Sequence, residues 1–157
     1  MRLEYFSLVD RILELDLTHR KIRAEARVPM ASSIFEGHFP GYPIMPGVLL
    51  LETMAQASGW LLIALTQFNR MPFLAAVKEA KLRTFVTPGA LLAIEAGIVH
   101  EGSGYSITSA AIRVGDKQVC NCEITFRLVE FPNQQFRASL EQRAVTIAFP
   151  MDMVVHG

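Results

Sequence analysis

Only two cysteines occur in the chain, Cys120 and Cys122, too few for a disulfide framework. There is no excess of either charge, because fifteen basic residues balance fifteen acidic ones. That balance leaves no electrostatic footprint for nucleic acid beyond a local patch. The N-terminal MRLEYFSLVDRI lacks the basic-then-apolar layout of a signal peptide. Neither an internal repeat nor a low-complexity tract is present. Charged residues are scarce, at 19%, while 51% of the chain is hydrophobic, which excludes a disordered polypeptide. The longest apolar run, Val48 to Leu65, approaches the roughly 20 residues of a membrane span. Glu52, Thr53, Gln56 and Ser58 interrupt it, however, and no basic or aromatic anchors flank it. A buried core helix without membrane insertion is the expectation, in a cytoplasmic protein. The length of 157 residues suits one domain with a substantial core.

What is present concentrates in residues 35 to 56, FEGHFPGYPIMPGVLLLETMAQ. Gly37, Pro40, Gly41, Pro43, Pro46 and Gly47 alternate restricted with permissive backbone, so they specify one path for the loop that carries His38. Pro46 suits the first turn of a helix, where its missing N–H is not needed. The N–H groups of Gly47 and its neighbours then lack an intrahelical partner and can face a ligand. The apolar residues from about Pro46 to Gln67 surround their helix almost completely, which predicts burial on all sides. Asn69, Arg70 and Pro72 end it.

Strand signals lie on both sides. Residues 5 to 16 fit a strand or a short helix equally. Ile22, Ala24, Ala26 and Val28 alternate with Lys21, Arg23, Glu25 and Arg27, the period of a half-buried strand. Phe73 to Val77 and Leu82 to Val86 are two short candidates. Three longer strands follow: one with Leu92, Ile94, Ala96 and Ile98 on one face, one from Tyr105 to Val114, and one after the turn Gly115-Asp116-Lys117. In the last, Cys120 and Cys122 share the core face with Ile124, Phe126 and Leu128, as small hydrophobes. No further metal ligands accompany them. Residues 137 to 145 suit a short helix and the last residues a loose tail. One long buried helix with several antiparallel strands is an α+β pattern.

Two side chains stand out chemically. Glu52, among Val48, Leu49, Leu50, Leu51, Met54 and Ala55, is a carboxylate that burial penalises unless it is paired, hydrogen-bonded or protonated. Gln56, four residues on, shares its helical face and can orient it. The alternative is a structural carboxylate meeting a basic residue on a strand. His38 reads either as a solvated loop histidine or as a base. His19, His100 and His156 have no comparable setting. Spacing leaves open whether His38 and Glu52 of one chain meet, or whether two chains exchange residues across an interface. Trp60 and Phe68 fit either a tunnel wall or core packing.

Read from His38 to Gln56, H-F-P-G-x-P-x-M-P-G-V-x-x-x-E-x-x-A-Q resembles the active-site signature of the FabZ-type 3-hydroxyacyl-[acyl carrier protein] dehydratases. The likeness is gap-free, includes Glu36-Gly37, and extends more weakly from about Leu8 to Leu128. The resemblance implies a hot-dog fold, an antiparallel sheet wrapped around the central helix, over residues 1–131. Residues 132–157 would be a C-terminal extension. It implies a homodimer, or a higher oligomer built from dimers, with His38 of one subunit and Glu52 of the other at each site. Gly47 and Val48 would bind the thioester oxygen, and Gln56 would orient Glu52. It further implies no metal or redox cofactor, and a substrate carried by acyl carrier protein on a phosphopantetheine thioester. Lys78, Lys81, Arg83 and Arg23 are candidates for meeting that acidic partner, although ordinary solvated positions account for each.

Glu rather than Asp at position 52 matches the dehydratase-only branch rather than the dehydratase-isomerases. The short stretch before the first strand, without a Pro-His-Arg-like element, and the tail beyond about Phe131 resemble a divergent branch serving lipid-A acyl synthesis. A hot-dog thioesterase and a non-catalytic module binding acyl chains or carrier protein are the alternatives.

Overall fold

Period-two alternation governs most of the chain after residue 10. In the computed structural model, which describes residues 1–154, it yields six strands. They are β1 (Arg11–Asp16), β2 (Lys21–Arg27), β3 (Met71–Leu82), β4 (Leu91–Gly102), β5 (Tyr105–Val114) and β6 (Lys117–Val129). All pair antiparallel in one sheet of order β1-β2-β4-β5-β6-β3. Three helices accompany them: α1 (Ser33–Gly37), α2 (Gly47–Leu65) and α3 (Gln134–Thr146). The ambiguous N-terminal stretch divides into a 3-10 turn, Leu3–Tyr5, and strand β1.

The sheet wraps α2, which packs against β2 through β6. Ile22, Ala24, Ala26, Leu92, Ile94 and Ala96 are buried on the inner face, as their alternation predicts. Leu50, Met54, Leu61 and Leu62, each at most 2% exposed, meet them. Burying each such side chain stabilises the fold by about 1.5–3 kcal/mol. Where α2 carries polar groups inward, they are paired: Thr108 Oγ1 donates to Ser58 Oγ at 3.0 Å and Thr53 Oγ1 to the Leu49 carbonyl at 2.7 Å. By length and composition α2 could cross a membrane, but 72% of its apolar window is buried within this fold.

Three local expectations change. The helix ends at Leu65 rather than near Gln67, because Gln67 and Phe68 take left-handed backbone (φ 53° and 57°). The Phe68 side chain is thereby buried against Phe149, at 5.5 Å between ring centres, so Phe68 is core packing off the helix. The candidates Phe73–Val77 and Leu82–Val86 are replaced by the single strand β3 and an extended connection after it. β3 is an edge strand with register shifts at Leu74/Ala76 and Lys78/Lys81, and Glu79 sits at φ 52°. Such irregularities erase the alternation that marks a strand. Finally, the loop before α2 begins with α1, capped by Ser32 Oγ accepting from the Ile34 N–H at 3.1 Å.

The C-terminal residues add to the core. Asn133 caps α3, its Oδ1 accepting from the Phe136 N–H at 2.7 Å. Ile147, Phe149 and Val154 are buried, and the Phe149 ring lies 5.7 Å from that of Trp60. The end of the expected loose tail, residues 155–157, lies outside the described residues.

Candidate active site

The path to His38 starts at a carboxylate. Glu4 Oε1 accepts from Ser32 Oγ at 2.6 Å, the Ser33 N–H at 3.0 Å and Ser33 Oγ at 3.2 Å. These donors, the Ser32 hydroxyl foremost, pull its pKa down to about 2. The clamp fixes the start of α1, which delivers the chain to His38. Beyond it the Phe39 N–H donates to the Tyr42 carbonyl at 3.0 Å and the Tyr42 N–H returns the bond at 2.9 Å. Gly41, at φ 73°, makes that narrow turn accessible. The Ile44 N–H donates to the His38 carbonyl at 3.0 Å. The half-buried His38 ring stacks on Phe39 at 4.2 Å, across a cis His38–Phe39 peptide. Among the described residues no hydrogen bond engages the ring nitrogens of His38.

His38 opens into a cavity of about 540 Å³ with Ile44, Met45, Leu50, Leu82 and Arg83 on its walls and Gly47 at the start of α2. Pro46 caps that helix without a side-chain hydrogen bond. Among the described residues neither the Gly47 nor the Val48 N–H is paired with an acceptor. A Cβ at Gly47 would crowd the exposed Leu82 side chain at the end of β3. The Val48 side chain points to solvent, which leaves its backbone as the group available for binding.

Glu52 opens elsewhere. Its cavity, about 760 Å³, is lined by Ala55, Gln56, Gly59, Trp60 and Ile63 of the same helix face, by Met71 to Leu74 of β3, and by Phe136, Leu140 and Arg143 of α3. Gln56 Nε2 donates to Glu52 Oε1 at 3.1 Å and to the Phe6 carbonyl at 2.7 Å, while its Oε1 accepts from the Leu8 N–H at 3.1 Å. With three partners the amide has one orientation, and the carboxylate is aimed by it. Glu52 is half-buried, and among the described residues it forms no ion pair. The basic strand partner of the structural alternative is not what holds it.

Gln56 and Glu52 are thus brought together, and Gly47 and His38 are brought together. His38 and Glu52 of one chain line cavities with no lining residue in common. Trp60 walls the Glu52 cavity. Burial pushes the thiols of Cys120 and Cys122 up to about 12 and about 11, the state of inert core groups. Among the described residues no three His, Cys, Asp or Glu side chains converge on a metal position. His19 pairs with Asp16 and His100 with Tyr105, while His156 lies outside the described residues. Arg23 is engaged by Glu14 and Glu95, whereas Arg83 sits at the His38 cavity, bonded to Asn121 Oδ1. Sequence reasoning missed the α3 wall. Its signal, in retrospect, is the i, i+4, i+7 spacing of Phe136, Leu140 and Arg143.

Known proteins share stretches of this sequence and its fold. The family described as a FabA-like domain matches residues 2–123. A protein of Lactiplantibacillus plantarum named 3-hydroxyacyl-[acyl-carrier-protein] dehydratase FabZ is 38% identical over 119 residues, 75% of this chain and 80% of its own. One of the same name from Chlamydia caviae is 40% identical over 128 residues, 80% of this chain and 83% of its own. Among solved structures, a conserved protein of Pseudomonas aeruginosa superimposes with a TM-score of 0.62 at 23% identity, covering 80% of this chain and 93% of its own. A hypothetical thioesterase of Streptococcus pneumoniae, solved with coenzyme A, gives 0.61 at 14% identity, covering 78% and 90%. At such identities these two speak for the hot-dog fold alone. The sequence relatives go further, and with the motif from His38 to Gln56 on that fold, the chain belongs to the FabA-like family, among its FabZ-type 3-hydroxyacyl-[acyl-carrier-protein] dehydratases.

Proposed function

We propose that the chain dehydrates a (3R)-3-hydroxyacyl thioester carried by acyl carrier protein to the trans-2-enoyl thioester, in cytoplasmic fatty acid synthesis, as a homodimer. One observation carries the two-chain reading: His38 and Glu52 of one subunit open into separate cavities, and β3 borders both. Leu82, at one end of β3, lines the His38 cavity, and Leu74, toward the other end, lines that of Glu52. β3 is a sheet edge paired to β6 alone, and it exposes Phe73, Leu74, Val77 and Leu82. An uncovered apolar edge is a template for strand pairing. Two copies joined antiparallel along β3, about a two-fold axis, would bring the Leu82 end of each to the Leu74 end of the other. His38 would then face Glu52 of the partner subunit. Pairs of dimers assembling further are compatible with this edge being used once.

The chemistry follows from the groups so joined. The thioester acidifies C2–H, and a ring nitrogen of His38 takes that proton. The C2–H electron pair forms the C2=C3 bond as the C3–O bond breaks. The partner subunit's Glu52, in its acid form and aimed by its own Gln56, protonates the departing hydroxyl, which leaves as water. Charge developing on the thioester oxygen is met by the Gly47 and Val48 N–H groups; one such donor is typically worth about 3 kcal/mol of barrier. Electrons balance without a metal or a redox cofactor. Arg83, exposed on the wall of the His38 cavity, and the exposed Lys81 two residues before it suit the acidic carrier and its phosphopantetheine. Assignment to the branch serving lipid-A acyl synthesis draws its support from the C-terminal extension, and the acyl-length profile tests it.

The test is incubation with (3R)-3-hydroxyacyl carrier proteins, followed by mass spectrometry for loss of water. His38→Ala and Glu52→Gln should each lose about 100-fold or more in rate. Variants as fast as wild type would contradict the assignment, and release of free thiol in place of enoyl product would establish a thioesterase.

A further inference from the structure

The Glu52 cavity is a groove with a direction. Its α2 residues, Glu52, Ala55, Gln56, Gly59, Trp60 and Ile63, follow the i, i+3, i+4, i+7, i+8, i+11 pattern of one helical face. From Glu52 to Ile63 they span roughly 16 Å of helix axis. Ala55 and Gly59 keep the floor low. Polar groups gather at the Glu52 end, with Gln56, Ser7 and Arg143, while the far end is bounded by Trp60, Ile63, Met71 and Phe136. That gradient matches a substrate with a polar reacting head and an apolar tail.

The third wall comes from outside the family-matched residues 2–123. Phe136, Leu140 and Arg143 form one face of α3 and run along the groove in the opposite sense to α2. Arg143 marks the Glu52 end, because its Nη2 donates to the Val9 carbonyl at 2.8 Å and to Ser7 Oγ, next to the Leu8 held by Gln56. Phe136 marks the far end, because its ring lies 6.2 Å from that of Phe131, just past the Val129–Met71 pair of β6 and β3.

We infer that α3 sets the acyl length this chain accepts, with Phe136 and Leu140 as its specificity-determining residues. The inference rests on the proposed reaction only in taking Glu52 to mark the reacting end. The acyl tail would run from Glu52 along Ala55 and Gly59 beneath Leu140, and Phe136 would limit its reach. Phe136 is partly exposed and Leu140 sits at the edge of the core, so substitutions at both spare the sheet.

The experiment uses Phe136→Ala to open the far end and Leu140→Phe to narrow the middle. Two readouts are taken over a series of acyl lengths. The first is kcat/KM on 3-hydroxyacyl carrier proteins. The second is fluorescence of Trp60, the sole tryptophan, during titration with saturated acyl-pantetheine thioesters, which cannot be dehydrated. Phe136→Ala should raise the long-to-short ratio of kcat/KM about tenfold and Leu140→Phe should lower it about tenfold, the scale of a methylene or two in an apolar pocket. The acyl length that saturates the Trp60 signal should shift in the same directions. Wild-type profiles in both variants, alongside normal turnover, would overturn the inference and leave the reaction intact. Shifted Trp60 binding without turnover by any form would uphold the role of α3 and overturn the reaction.

Discussion

His38 is held by backbone and Glu52 by side chains. The histidine sits between a short helix clamped by Glu4 and a tight turn from Phe39 to Tyr42, all within about forty residues of chain. The carboxylate depends on Gln56, which ties it to Phe6 and Leu8, and through Arg143 to the far end of the sequence. The first arrangement is local and, among the described residues, leaves the ring nitrogens without a hydrogen bond, which suits the proposed base. The second is long-range and fixes the direction of the carboxylate, which suits the proposed acid. A base needs freedom at its nitrogen, and an acid that must meet a hydroxyl needs aim. Within one chain the two groups open into separate cavities, so the proposed chemistry needs a pair of chains.

Perturbations should separate the two halves. The largest effect is expected at Gly47, on the histidine side. Gly47→Pro deletes the N–H at a helix position that tolerates proline, and Pro46, at ψ 132°, suits a following proline. Gly47→Ala is the control, because it meets the same exposed Leu82 side chain but keeps the N–H. Steady-state kinetics should give Gly47→Pro a kcat about 100-fold below that of Gly47→Ala. Equal values would remove Gly47 from the oxyanion site. On the carboxylate side, Gln56→Leu strands the buried Leu8 N–H and frees Glu52. Denaturant unfolding should show a loss of about 1–3 kcal/mol, and kcat should fall while KM holds. A variant with wild-type kcat would show that Glu52 needs no aiming. The smallest effect is at Glu4. Its carboxyl is depressed from 4.5 to about 2, so its contribution is present in full above its ordinary range and is lost as pH falls toward 2. Melting curves should place wild type above Glu4→Gln near neutrality and let the two converge in acid. A gap that persists in acid would mean that the clamp is not ionic.

Much of this was legible in residue order, for a physical reason. α2 announces itself by an unbroken apolar run, and β4 to β6 by alternation punctuated at Gly104 and Gly115, both at positive φ. The pairing of Glu52 with Gln56 follows from a spacing of four. β3 was hidden because an exposed edge carrying Lys78, Glu79 and Lys81, kinked at Glu79, has no single buried face to display. α1 was hidden by its five-residue length. The hold of Gln56 on Phe6 and Leu8, and the closure of the groove by α3, join residues far apart in sequence. No local pattern encodes such contacts.

The most direct test of the pairing is a heterodimer. His38→Ala and Glu52→Gln chains, each inactive alone, would be co-expressed with different tags and the mixed dimer purified. If each site takes His38 from one subunit and Glu52 from the other, one site of the two is intact, and the heterodimer should recover about half the wild-type activity. If both residues act within one chain, every site in that heterodimer is broken, and activity no greater than that of the two variants would contradict the account.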